Sequence, residues 1–319
     1  MKDLLRFRLQ DLSLYRSELM GWAILWVMML HFTFTQIKPL GFLAQYGISG
    51  VDIFMFVSGL GLYYSLDKNG NLQHFYKKRL LRIFPIYYVI GVFASLLVYH
   101  DSLPEFLFRY STLGFWIGGI FYEWYIPSIV CLYLLAPFLK WLVDYRHALY
   151  AILLSVLLII LSYFLVEKTD IIDYEHYFLL YRSPAFIFGM LCAYWIKHQV
   201  SARYFFIIAV IGIPLFVLLF PQHHAMYRYK YFSLFFLMPC FIYAFCTLSK
   251  LLPPLRRLMA KMGNASLEIY LIQCIFFVAI INHQLAVPDA WHDAITLSLI
   301  ALCTILGLSA HWLFKRLGL

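Results

Sequence analysis

Three groups of residues in this chain could carry chemistry. His31 stands inside the apolar run Gly21-Trp-Ala-Ile-Leu-Trp-Val-Met-Met-Leu-His31-Phe-Thr-Phe34. An ionisable ring in hydrocarbon is costly, so it points either to proton transfer or to a neutral imidazole hydrogen-bonded to a neighbouring helix. Asp52 lies in Gly50-Val-Asp52-Ile-Phe54, inside the next apolar run. A carboxylate level with an imidazole on an adjacent helix fixes its tautomer and raises its basicity, whereas the plain alternative is a structural hydrogen bond to backbone. Arg79 and Arg82 follow in Phe75-Tyr-Lys-Lys-Arg79-Leu-Leu-Arg82-Ile-Phe-Pro85. At a spacing of i, i+3 they share one helix face and form a clamp for phosphate, or else a basic cluster beside anionic lipid.

Those residues need a frame. The 319 residues are 63% hydrophobic, 20% aromatic and 13% charged, with a mean hydropathy of +0.78. Such a composition belongs to a polytopic membrane protein. Apolar stretches near 19–37, 41–64, 84–99, 124–143, 148–166, 177–196, 204–220, 231–249, 266–282 and 294–314 predict about ten transmembrane helices. The predicted fold is an all-α membrane bundle over residues 1–319, one integral domain with no appended soluble domain, repeat or low-complexity linker.

The net charge of +9 does not describe a nucleic-acid face, because the basic residues come in short clusters between the apolar runs. With ten spans, the N-terminal arm and the clusters at 68–82, 140–146, 197–203, 250–261 and 315–316 all fall on one side. This predicts a multi-pass protein of a bacterial-type plasma membrane with both termini cytoplasmic. Residues 106–122 are apolar but carry Arg109 and three glycines. Counting them as a crossing would invert every later loop, so a re-entrant or interfacial segment is expected. Lys2, Arg6, Arg8, Arg16 and Glu18 ahead of the first run, with no small-residue cleavage site after it, predict a retained span rather than a signal peptide.

At 1.5 Å per residue, His31 lies about 18 Å along a span entering near Leu19, and Asp52 about 16 Å along an antiparallel span starting near Gly41. The two are therefore expected at similar depth. Gly47, Gly50, Ser58, Gly59 and Gly61 narrow the second helix, either for close helix approach or as a slot for a thin ligand. The six cysteines lie in apolar runs without CxxC or metal-type spacing. They are expected to be packing thiols, and no metal is predicted.

Together these pieces resemble the acyltransferase-3 family of integral membrane acyltransferases. The resemblance rests on Gly21 to His31, on Gly50-Val-Asp52-Ile-Phe54-Met-Phe-Val-Ser58-Gly59 and on Arg79-Leu-Leu-Arg82-Ile-Phe-Pro85. Later landmarks are Trp124-Tyr-Ile-Pro-Ser128, Tyr133-Leu-Leu-Ala-Pro137, Arg182-Ser-Pro-Ala-Phe-Ile-Phe-Gly189 and Gly263-Asn-Ala-Ser266-Leu-Glu268-Ile-Tyr270-Leu-Ile-Gln273. Their order over most of the chain carries it, no single motif being specific. The family's first span usually has a basic residue, ten intervening residues and then the histidine. Here that position is Met20, with Arg16 one turn nearer the basic side and able to take a positioning role.

The resemblance implies transfer of an acyl group, often acetyl from cytoplasmic acetyl-CoA, to a hydroxyl of a cell-surface glycan or glycolipid, that is, an O-acetyltransferase of the cell envelope without a metal. Arg79 and Arg82 would hold the CoA phosphates, with Arg16 beside them and the pantetheine arm threading past the second helix. His31 would be the general base, or a transient acyl carrier, oriented by Asp52. Ser58 or Tyr270 would supply donors. Arg182 would face an anionic acceptor, or pair with Glu123 or Asp52. Glu123, Trp124 and Tyr125 would anchor the fourth span at the interface, or stack on a glycan. Glu268 would cap its helix or pair with Lys261. The bilayer and the two substrates are the implied partners, and nothing excludes an oligomer. A different class, a transporter with His31 and Asp52 as a proton relay, fits polytopic architecture but lacks a visible inverted repeat.

Overall fold

The computed structural model describes residues 6–68, 70–118, 124–145, 149–168, 177–219, 227–283 and 291–318. Among the described residues the chain is helical, with no strand. In order the helices are α1 (Asp11–Leu14), α2 (Arg16–His31), α3 (Lys38–Ala44), α4 (Ser49–Lys68), α5 (Leu72–Ala94, continued by a π turn at Ser95–Tyr99), α6 (Leu103–Tyr110), α7 (Leu113–Gly118) and α8 (Tyr125–Asp144). They continue as α9 (Leu149–Lys168), α10 (Tyr177–Lys197), α11 (Arg203–Leu219), α12 (Tyr227–Leu251), α13 (Pro253–Asn264), α14 (Ser266–His283) and α15 (His292–Arg316).

Each of the ten predicted apolar stretches contains a helix, as hydrocarbon requires of any segment that must satisfy its own backbone. Among the described residues six helices are long and apolar enough to cross a membrane: α4, α5 with its π turn, α8, α10, α12 and α15. The pair α13 and α14, bent by 75°, makes a seventh if taken as one span. Residues 103–118 form two short helices, α6 and α7, separated by Thr112 at φ 71°, and so do not make a continuous crossing.

The first two stretches depart from the sequence expectation. α2 stops at His31 instead of continuing to 37, and the turn beyond it is held by α15. Thr296 Oγ1 donates to the carbonyls of Phe32 and Thr33 at 2.6 and 2.8 Å. The Asp293 carboxylate accepts from the backbone N–H groups of Thr35, Gln36 and Ile37 at 2.8, 3.1 and 2.6 Å. Polar groups that a helix end leaves unsatisfied thus find partners more than 250 residues away in sequence, with no local stop signal needed. The second stretch is two helices, α3 and α4, rather than one starting near Gly41.

α4 is the most buried of the six candidate spans and touches α2, α5, α8, α10 and α12. Its closest partner is α10, where Gly59 and Gly189 let the backbones meet: a methyl at Gly59 would overlap the Phe186 carbonyl, and one at Gly189 the Phe56 carbonyl. Gly47 and Gly50 face backbone of α2, and Gly61 faces the Arg16 guanidinium. The glycines of α4 therefore serve close approach, and of the small residues Ser58 is left to line a cavity. Gly59→Leu should lower the thermal midpoint in detergent and broaden the size-exclusion peak, since it forces side-chain atoms into backbone. Gly70→Ala, with no atom within 4 Å of the added methyl, should leave both unchanged.

Candidate active site

A cavity of about 180 Å³ lies among α2, α4, α5, α8, α13, α14 and α15. Arg16 enters it from the first turn of α2, and Arg79 and Arg82 from one face of α5. Ser58 lies between Phe54 and Leu62 on one stripe of α4, and Tyr125 and Tyr133 reach in from α8. α14 contributes Glu268 and Tyr270, and α15 contributes His311. Five residues singled out in sequence, Arg16, Ser58, Arg79, Arg82 and Tyr270, thus meet in one place, with Met20 beside them.

The charges there are unbalanced. Elsewhere on the same side Lys250 pairs with Asp11, Arg256 with Glu18, Lys197 with Asp67 and Lys140 with Asp144, at 2.6 to 2.8 Å. Among the described residues Arg16, Arg79 and Arg82 form no such pair. Nε of Arg16 and of Arg79 is buried without a hydrogen-bond partner. Three guanidiniums in one cavity repel each other strongly at low dielectric, and their planar forks match phosphate oxygens. Glu268 pairs with His311 Nδ1 at 2.8 Å rather than with Lys261, so the cavity's carboxylate is already engaged.

The lining of this cavity climbs α2 from Arg16 to Val27, one turn short of His31. His31 itself lines a second cavity, of about 250 Å³, with Phe32, Thr33, Ile280, His292, Ile295, Thr296 and Leu299. Its ring stacks on Phe277, centroids 4.5 Å apart and planes at 20°. The polar neighbour of the ring is Gln273, which is fully buried one turn beyond Tyr270 on α14. His31 and Gln273 therefore stand at the partition between the two cavities.

The sequence profile of the acyltransferase-3 family, described as an acyltransferase domain, matches residues 19–315. The chain belongs to that family. It is also similar to a protein of the Acidianus two-tailed virus named "Putative acetyltransferase ORF330", 30% identical over 178 residues, which are 53% of this chain and 52% of the viral protein. The chain thus spans about half the length of the curated relative it matches. No solved structure matches it.

Within this family member Asp52 does not meet His31. Gly50 packs on Ala23 and Val27, and Gly47 on Trp26 and Leu30. That register sets Asp52 level with about residue 23, two helical turns or roughly 12 Å from His31. The difference arises because α4 begins at Ser49 after a separate short helix. Asp52 instead accepts a hydrogen bond from Arg182 at 2.5 Å, with side-chain exposures of 0% and 1%. Of the expected partners of Arg182, the structure selects Asp52, and neither residue lines either of these two cavities. Trp124 is partly buried against the core and lines neither cavity. Glu123 lies outside the described residues.

Tyr133, His292, Gln273 and the Glu268–His311 pair were not assigned chemistry from sequence, and Tyr125, expected at the interface or against a glycan, lines the arginine cavity. Only Gln273, an amide inside an apolar run, carried a signal of its own. Among the described residues no cluster of three His, Cys, Asp or Glu side chains could hold a metal, and all six cysteines are free.

A buried ion pair that loses one partner leaves an uncompensated charge. Asp52→Asn or Arg182→Gln alone should destabilise the protein by about 3–5 kcal/mol, and the double variant by clearly less than the sum. Thermal unfolding of the four proteins in one detergent measures the cycle.

Proposed function

We propose that the protein is a membrane O-acyltransferase that takes an acyl group, acetyl in the simplest case, from cytoplasmic acyl-CoA to a hydroxyl of a cell-surface glycan or glycolipid. The observation that carries this reading is the set of three arginines without carboxylate partners in one cavity. A nucleotide thioester brings phosphates that neutralise them and a long thin arm that can follow the lining toward Val27. Ten crossings with both termini in the cytoplasm, in a bacterial-type plasma membrane, put the arginine cavity on the donor side and the His31 cavity on the opposite side.

In this scheme the acceptor hydroxyl enters the second cavity and the thioester carbonyl reaches the partition from the first. His31 removes the hydroxyl proton as the oxygen attacks the carbonyl carbon, and later returns a proton to the thiolate as the C–S bond breaks. Neither step calls for a metal. Asp52, held by Arg182, is a positioning residue that sets the face of α4, and acts on the site through Ser58 rather than on the imidazole. Arg182 and Trp124 accordingly support the bundle and leave acceptor binding to other groups. The same engagement of Asp52 argues against a His31–Asp52 proton relay, which needs the two groups within reach of each other or of shared water.

Arg79→Ala with Arg82→Ala should weaken CoA binding by about tenfold or more, since charge-assisted hydrogen bonds contribute about 1.5–3 kcal/mol each. It should also flatten the salt dependence of that binding, as titration calorimetry in detergent would measure. Unchanged affinity would reassign the pair to topology. His31→Ala should abolish acetyl transfer in membranes while leaving CoA affinity intact. Full transfer by a normally folded His31→Ala protein would remove the histidine from the mechanism.

A further inference from the structure

We infer that Gln273 is a catalytic residue of this acyltransferase: its amide N–H donates to the acyl carbonyl oxygen as that oxygen becomes an oxyanion. The inference rests on the donor and acceptor assignment just proposed and adds to it the group that stabilises the charge formed.

Gln273 is 0% exposed in the middle of α14 with the His31 ring as its polar neighbour, and neither its amide nitrogen nor its amide oxygen makes a well-aligned hydrogen bond. Nδ1 of His31, beside it, is likewise buried without a well-aligned hydrogen bond. A buried polar group left short of a partner costs about 1–3 kcal/mol, and here an imidazole nitrogen and both atoms of an amide have at most each other. The surroundings offer no relief, because the ring is walled by Phe277. Such a cost is maintained where a ligand supplies the missing partner.

The position of Gln273 says which ligand atom that is. α14 lines the arginine cavity up to Tyr270, touches His31 through Gln273 and Phe277, and lines the second cavity with Ile280. The amide is thus at the one level where an acyl group from the first cavity and a hydroxyl in the second can meet beside the imidazole. A neutral donor suits the task. A lysine or arginine here would hold CoA thiolate as well as oxyanion, while an amide set in a dry site stabilises developing charge without itself exchanging a proton.

The steps balance. The acceptor oxygen bonds to the acyl carbon while its proton passes to His31. The carbonyl π pair moves to oxygen, and the Gln273 N–H donates a hydrogen bond to that oxyanion. The pair returns, the C–S bond breaks, and the His31 proton goes to the CoA thiolate, leaving ester and free CoA.

The test uses membrane vesicles containing the full chain, radiolabelled acetyl-CoA, and acetyl incorporated into the vesicles' own glycan and lipid fraction. Gln273→Glu, nearly isosteric, and Gln273→Leu should each lower the rate at saturating donor by roughly 100- to 1,000-fold. The donor concentration for half-saturation and the thermal midpoint should not move. Wild-type rates in Gln273→Leu overturn the inference. So does a Gln273→Glu protein that recovers the full rate at a displaced pH, because the amide would then only orient His31. If Gln273→Leu fails to fold, Gln273→Glu alone decides. Should the wild-type vesicles incorporate no acetyl, the acyl-transfer reading fails instead, whatever Gln273 does; should His31→Ala match wild type, the assignment of the base fails.

Discussion

The contact between Asp52 and Arg182 fixes the rotation of the central helix. Both side chains are out of solvent, and the pair sits on the same face of α4 as Gly59, where α10 approaches to backbone distance. Two constraints of different kind, one electrostatic and one steric, therefore hold the same face against the same neighbour. The stripe Phe54, Ser58 and Leu62 lies roughly a third of a turn away on the helix and is left to line the arginine cavity. In a bilayer no hydrophobic force distinguishes one apolar face from another, so specific contacts of this sort must decide rotation.

A second constraint acts at the other end of α2. His31 is the last residue of its helix, and its position depends on the exit turn. Asp293 and Thr296 of α15 take up the polar groups of that turn, which ties the imidazole to the helix that supplies His292, Ile295 and Leu299 to the same cavity. The ring is thus fixed between α14, through Phe277, and α15, through the turn. Rigid support from several elements is what a proton-transferring group requires to be useful.

Much of this was legible in the sequence, and the failures have a common cause. Apolar run length located the helices because hydrocarbon forces the backbone into them. Spacing on one face brought Arg79 and Arg82 together, and helical periodicity put Arg16 within reach. The depth of Asp52 was misplaced because the start of α4 depends on a preceding short helix, and a shift of a few residues moves a side chain by a full turn. Glu268 with His311, and Asp293 with the turn after His31, join residues far apart in sequence, and no local pattern announces either. Gln273 was visible as a polar residue in a greasy segment, yet that its polar neighbour is His31 only the packed structure can say.

The charge surplus of the chain takes on a different meaning once the pairs are placed. A net +9 distributed in loops is the ordinary signature of orientation in a membrane. Here the acids of the basic side are taken up largely by lysines, at Asp11, Asp67 and Asp144, and by Arg256 at Glu18. Of the arginines left, Arg16, Arg79 and Arg82 point into one cavity. The division follows the chemistry of the two cations. An ammonium is a compact, strongly hydrated charge suited to a single carboxylate at the surface, whereas a guanidinium tolerates partial burial and offers a planar set of donors. A chain that needed positive charge for topology alone could have placed either residue in either role. The gathering of three guanidiniums in one cavity is therefore what distinguishes that cavity from basic clusters that only bias the chain toward one face of the membrane.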